Sequence, residues 1–184
     1  MTVRTSPINT QRLLLRQFVE ADAPIAYENW MSDRDVTEFL TWNAHRGPQE
    51  SLRIIRCWVR AYDHGSMDWC ITLKPSLEPI GSITAVQDFP EERYCEIGYC
   101  ISKDQWNKGI MTEAVREVVG HIFRSTDYLW IQARYDKENE ASGRTLLKCN
   151  FRKTGEEDLP DPKNRDEIRR YVMMRIDRSD VLLL

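Results

Sequence analysis

A mixed α/β fold around one sheet is predicted, and three observations predict it. Three strand-like runs follow one another, "MDWCITLK" (67–74), "PIGSITAVQDF" (79–89) and "RYCEIGYCIS" (93–102), separated only by turn formers and acidic residues. They read as an antiparallel meander. Helical periodicity brackets them: "GPQESLRIIRCWVRAYDHG" (47–65) places Pro48 at a helix start and Leu52, Ile55, Val59 and Tyr62 on one face, and 111–123 is strongly helical. Finally, 184 residues at 41% hydrophobic and 30% charged suit one soluble domain, 1–184, with a sizeable core.

The remaining elements fill in around these. "RLLLRQF" (12–18) is a first strand, after which Asp22 is placed to cap a helix with Pro24 in its first turn. A short helix is expected over 33–40. After the helix at 111–123 come a strand at 129–135, a helix at 140–150, and two strands at 151–157 and 169–177. The stretch "EEDLPDPKNRDEIRR" (156–170), dense in charge and turn formers, is expected to be an exposed loop between the last two strands, able to border a site but more simply a solvated hairpin loop.

Composition removes several function classes. No apolar run nears the roughly 20 residues of a membrane span, and the first residues lack a signal-peptide core, so a cytoplasmic protein is expected. A net charge of −3 gives no reason to expect nucleic acid as a partner. Five cysteines (57, 70, 95, 100, 149) with no C-x-x-C pair offer neither a disulfide framework nor a zinc site; Cys57, Cys70 and Cys100 in apolar stretches are expected to be buried free thiols. His45, His64 and His121 lack metal-ligand spacing, and no metal is expected.

The informative segment is "YCEIGYCISKDQWNKGIMTEAV" (94–115), a strand, a short bridge and a helix start. A helix N-terminus offers unpaired N–H groups and the positive end of its dipole, which together attract an anion. Gly109 lets an anion approach the backbone and lets φ turn positive, and Lys108 adds a mobile cation. The chemistry fits a diphosphate. The ordinary alternative is a tight turn beside a solvated lysine. A P-loop is excluded, because Ile110 follows Gly109 where Lys and Ser or Thr are needed.

"EIGYCISKDQWNKGIMTEAV" (96–115), "NEASGRTLLKCNF" (139–151) and "TQRLLLRQFVEADA" (10–23) together resemble the GNAT superfamily of N-acetyltransferases, in its RimJ/RimL-like branch. The resemblance spans nearly the whole chain, weakly over 36–70 and after 156. Against the superfamily pattern Q/R-x-x-G-x-G/A, Trp106 replaces Gln/Arg and Met111 replaces the second Gly/Ala, while Gly109 holds the first Gly. The branch pattern tolerates both changes. The resemblance implies a single-domain α/β GNAT fold, a mixed central sheet with splayed middle strands flanked by helices, and acetyl-CoA as co-substrate. It implies the diphosphate on the amides of Asn107, Lys108, Gly109, Ile110, Met111 and Thr112. The pantetheine arm would pair like an added strand with Tyr99, Cys100 and Ile101, and Asn139 and Ser142 would flank the thioester.

Two residues invite a chemical reading. Glu96 is a carboxylate in mid-strand, costly unless paired or used; it is either a base that deprotonates an amine through water or a structural anchor. The tyrosine that protonates the leaving thiolate in many GNAT enzymes is replaced here by Leu146, and the branch assigns that role to the serine matching Ser142. The ordinary reading of Ser142 is a first-turn serine beside a capping Asn139. Of Trp30, Trp42 and Trp58, Trp58 suits core packing and Trp42 the wall of an acceptor groove. The expected activity is transfer of an acetyl group to a primary amine, a protein N-terminus or a small amine, with a homodimer admissible. Two other readings stand: a silent acyl-CoA-binding module and an antibiotic-amine acetyltransferase.

Overall fold

The computed structural model describes residues 5–183. Its strands are β1 (Ile8–Asn9), β2 (Leu13–Arg16), β3 (Asp68–Leu73), β4 (Glu78–Phe89), β5 (Tyr94–Ile101), β6 (Trp130–Asp136), β7 (Arg152–Asp161) and β8 (Asn164–Asp177). They form one sheet in the order β1-β2-β3-β4-β5-β6-β8-β7. Only β5 and β6 pair in parallel, so this is the expected mixed sheet, with β3, β4 and β5 as the meander.

Each sheet face has its own core. α4 (Ile110–Ser125) and α5 (Glu140–Lys148) lie on the first face. There Val115, Val118, Val119 and Ile122, all fully buried, meet Leu15, Ile71, Ile83 and Ile97. The 3.6-residue spacing of the α4 residues lays them in one stripe against the pleat. On the second face α1 (Ala23–Ala26), a π-helical turn (Tyr27–Met31), α2 (Arg34–Thr37) and α3 (Pro48–Ala61) enclose Phe18, Trp30, Ile55 and Cys70. α3 buries Ile55 and half-buries Leu52 and Val59, and Tyr62 in the turn that follows is buried on the same side, the face the periodicity predicts. Trp58 packs on Phe18 with ring centroids 4.8 Å apart, and Trp42 on His45 at 5.0 Å.

Three expectations need correction. Cys57 is exposed rather than buried, because it lies about 200° around α3 from Ile55. Asp22 does not cap α1; its carboxylate receives both Nη groups of Arg16 at 2.8 Å and the Val19 N–H at 2.9 Å. The 156–170 stretch is not a loop but most of a β-hairpin, turning at residues 162–163. Its charges hid the strands because they hold them together: Arg170 and Asp158 are direct cross-strand partners joined by two 2.8 Å bonds. At the hairpin tip Lys163 Nζ donates to the Thr37 and Glu38 carbonyls at 2.6 and 2.8 Å, tying β7–β8 across the second face to the end of α2.

Among the described residues no helix is long and apolar enough to cross a membrane, and no His, Cys, Asp or Glu group is arranged to hold a metal ion.

His45, bonded through Nδ1 to the buried Ser51 hydroxyl at 2.8 Å, and His121, edge-on to Trp69, are both held below the usual imidazole pKa by burial. The folded state therefore keeps them neutral while the unfolded chain takes up protons below about pH 6.5. Stability from this source is complete above that pH and is lost as the pH falls through it. The melting temperature should drop between pH 7 and 5.5, and the double variant His45→Gln/His121→Gln should flatten that drop. An unchanged slope in the double variant would contradict the assignment.

Candidate active site

β5 and β6 pair only from Tyr94 with Trp130 to Ile97 with Ala133. Beyond that point β5 continues along β4 as far as Ile101, while β6 continues along β8 as far as Asp136. The two strands part, leaving a wedge between them. The Ser102 N–H bonds the Ile80 carbonyl at 2.8 Å, so by strand alternation the peptide groups of Gly98, Cys100 and Ser102 serve β4. Those of Tyr99 and Ile101 face the wedge. Cys100 is thus the one of the three expected pantetheine residues whose backbone is turned away, its thiol lying 3.4 Å from Ser82 Oγ on the second face.

The chain then runs through a tight bridge to α4. Asn107 and Gly109 both take left-handed backbone, φ 58° and 72°, turning the chain sharply into the helix N-terminus, where Gly109 is the N-cap. At Gly109 it is the positive φ that demands glycine, since the space beside it is open: an added Cβ would meet only Arg12 Nη2 at 3.8 Å. Ile110 and Met111 bury their side chains in the first core, at 3% and 8% exposure, so the bulk of Met111 lies away from the amides of 110–112. Arg12 braces the turn, donating to the Lys108 carbonyl at 2.9 Å and to Glu113 at 2.6 Å. Burial would raise the Glu113 carboxyl, but the bonds from Thr10 and Arg12 outweigh it and hold the group low.

Glu96 lies on the second face, 3% exposed. Its Oε2 accepts from Gln132 Nε2 at 2.8 Å and its Oε1 stands 3.2 Å from Arg134 Nε. Arg134 in turn lies over the Tyr171 ring at 5.7 Å. The carboxylate therefore has the structural partners its buried position requires, and beside it Gly98 leaves room for the Val86 side chain, whose Cγ1 lies 3.1 Å from where a Cβ on Gly98 would stand.

Tyr99 points to the first face. Its hydroxyl lies 2.9 Å from Ser142 Oγ and 3.1 Å from the Ser142 carbonyl. Burial pushes the phenol up, so it stays protonated at neutral pH. Asn139 caps α5 through its Oδ1, accepting from the Ser142 N–H at 3.1 Å. The first turn of α5 sits close over the wedge: a Cβ on Gly143 would fall 2.6 Å from Tyr135 Cζ. Leu146 is fully buried in the first core. Two features escaped the sequence reading. The Tyr99 hydroxyl joins Ser142 across 43 residues, which no local pattern reveals. Trp106 Nε1 occupies the Ile101 carbonyl at 3.0 Å, on the edge a strand-like ligand would use.

With this geometry in place, comparison with known proteins is direct. The acetyltransferase (GNAT) domain model matches residues 12–152. The N-acetyltransferase YoaA of Bacillus subtilis, itself uncharacterised, is 30% identical over 149 residues, 80% of this chain and 84% of its own. A GNAT-family acetyltransferase from Bacillus anthracis superposes with a TM-score of 0.82 at 21% identity, covering 95% of this chain and 99% of that one. RimL, a ribosomal L7/L12 α-N-protein acetyltransferase solved with coenzyme A, gives 0.81 at 16% identity over 94% and 98%. The chain belongs to the GNAT acetyltransferase family, and it is an acyltransferase.

Cys100, nearest the wedge, has its thiol pushed by burial up to about 11. The thiol form is therefore favoured at pH 7, which disfavours Cys100 as a nucleophile. Brief alkylation of the native protein at pH 7.5 should label one thiol, the exposed Cys57, and Cys57→Ser should abolish the label in intact-mass measurement. Rapid labelling of Cys100 would contradict this and revive a thiol nucleophile.

Proposed function

We propose that the chain moves the acetyl group of acetyl-CoA to a primary amine by direct attack on the thioester, with the amine arriving from the second face and the thiolate leaving on the first. The carrying observation is the wedge itself. Its open peptide edge at Tyr99 and Ile101 runs straight into the left-handed turn of 107–109 and the amides of 110–112, a linear track of donors and acceptors that ends on an anion site. Bound there, acetyl-CoA supplies an activated acyl group and a thiolate leaving group. The coenzyme A held by RimL supports the same use of the fold.

The residues divide the work by face. Asn107 to Thr112 hold the diphosphate through their amides, with Lys108 adding charge. Tyr99 and Ile101 hold the arm, the latter after Trp106 yields its carbonyl, and Asn139 shapes the thioester end by fixing the first turn of α5. An ammonium has no lone pair to attack with, so a base is needed; Glu96, the buried carboxylate beside the mouth of the wedge, takes the proton through water. On the far side Ser142 donates its hydroxyl proton to the leaving sulfur, and Tyr99, whose hydroxyl donates to the Ser142 carbonyl at 3.1 Å and lies 2.9 Å from Ser142 Oγ, holds the serine in place. Holding amine and thioester together across a narrow opening supplies much of the rate by itself.

Acetyl-CoA at a hundredfold excess over its dissociation constant should stabilise the fold by about 2.7 kcal/mol, read as a rise in melting temperature. Gly109→Val should abolish the rise, because a β-branched residue does not hold φ near 72°, and Lys108→Ala should only reduce it. A melt indifferent to millimolar acetyl-CoA would end the proposal.

Glu96→Gln should lower turnover about 10²–10⁴-fold at neutral pH and recover in part as the pH rises and free amine accumulates; Ser142→Ala should fall without that recovery. Both should still bind acetyl-CoA. A pH profile of Glu96→Gln that parallels wild type would remove Glu96 as the base.

A further inference from the structure

We infer that Arg134 selects the acceptor, and that the preferred acceptor carries a carboxylate within about one residue's span, ~3.8 Å, of its reactive amine. The inference rests on the transferase reading and names the substrate class of the same site.

The argument begins from position. Arg134 follows Ala133, the last residue of β6 that pairs with β5, so its side chain stands where the two strands part. It shares the second face with Glu96 and Gln132, the face from which the amine must come. Its Nε is 3.2 Å from Glu96 Oε1, its guanidinium rests over Tyr171, and its side chain is 31% exposed. Among the described residues neither Nη1 nor Nη2 has a hydrogen-bond partner. Three arginines of the neighbouring β8 differ. Arg169 is bonded to Asp161 and Asp136, Arg170 takes Asp158 by two bonds, and Arg175 gives Nε and Nη2 to Asp177 while stacking on Trp130 at 4.3 Å. Arg134 therefore has one edge anchored on the proposed base and the outer edge of its fork without a partner, on the face from which the amine arrives.

That outer edge matches a carboxylate. Two parallel N–H donors in a plane form a bidentate pair that an amide or hydroxyl accepts poorly. The neighbouring negative charge of Glu96 completes the fit. A lone anion approaching Arg134 would be repelled by Glu96, and a lone ammonium approaching Glu96 would be repelled by Arg134. A zwitterion meets both with the matching sign, its ammonium on Glu96 through water and its carboxylate on Arg134. The buried ion pair thus reads as a template for an amine and a carboxylate on one small scaffold, such as an amino acid or an N-terminal residue with an acidic side chain.

The test compares matched acceptors, each an amine offered as its carboxylate and as its primary carboxamide: free amino acids against amino-acid amides, and peptides beginning with Asp or Glu against those beginning with Asn or Gln. Wild type should favour the carboxylate member in kcat/KM, chiefly through KM. Arg134→Met should reduce that carboxylate-to-amide ratio at least tenfold, whatever loss both members share, and Arg134→Lys should fall between. If Arg134 serves only to hold Glu96, both members lose activity together and the ratio stays as in wild type, which overturns the inference. Wild-type protein that turns over no amine at all counts against the transferase reading instead. The same pairs are then titrated calorimetrically into the CoA-loaded protein, where a carboxylate preference lost in Arg134→Met supports the inference and equal binding of the two members refutes it.

Discussion

The parting of β5 from β6 after Ile97 and Ala133 is the constraint on which the rest of the site depends. Each strand keeps its outer neighbour, β4 for one and β8 for the other, so neither can close the wedge without abandoning a ladder that is already complete. The first turn of α5 occupies the first-face side, with Ser142 bonded to Tyr99 of β5 and Gly143 pressed on Tyr135 of β6. Unpaired peptide groups inside a fold are costly unless something meets them. Here Trp106 meets one of them, and the track of the others leads to a helix N-terminus.

The wedge also separates the chemistry. Strand alternation puts Glu96 on one sheet face and Tyr99, three residues on, on the other, so the groups proposed to handle the two protons, Glu96 and the Ser142 that Tyr99 holds, are kept apart by the sheet itself. A carboxylate and a phenol packed together would perturb one another; across the sheet each meets different partners, Gln132 and Arg134 in one case and Ser142 in the other. The route between them is the opening where the strands diverge. Function follows from topology here, through the single parallel pair in an otherwise antiparallel sheet.

Much of this was legible in the sequence where local rules apply. The meander, the buried stripe of α3, the positive-φ turn ending in Gly109 and the alternation that isolates Glu96 are all short-range patterns. What escaped was set by distance in the chain or by charge. The β7–β8 hairpin was hidden because charged side chains on both strands erased the alternation that marks a half-buried strand, while cross-strand pairs such as Asp158 with Arg170 did the holding. The Asp22 cap lost to Arg16, a partner that only the curl of the chain after β2 brings near. The Tyr99–Ser142 pair and the Arg134–Glu96 pair arise from strand order, which no single segment contains.

Amide hydrogen exchange in residues 98–112, with and without acetyl-CoA, tests the central claim most directly. If the arm pairs with the open edge of β5 and the diphosphate sits on the turn, the amides of Tyr99 and Ile101 and those of 108–112 should be protected on binding, while those of Gly98 and Cys100, already engaged with β4, should change little. Protection confined to the helix N-terminus would keep the anion site and refute the strand-like seating. Uniform exchange in both states would contradict the account as a whole.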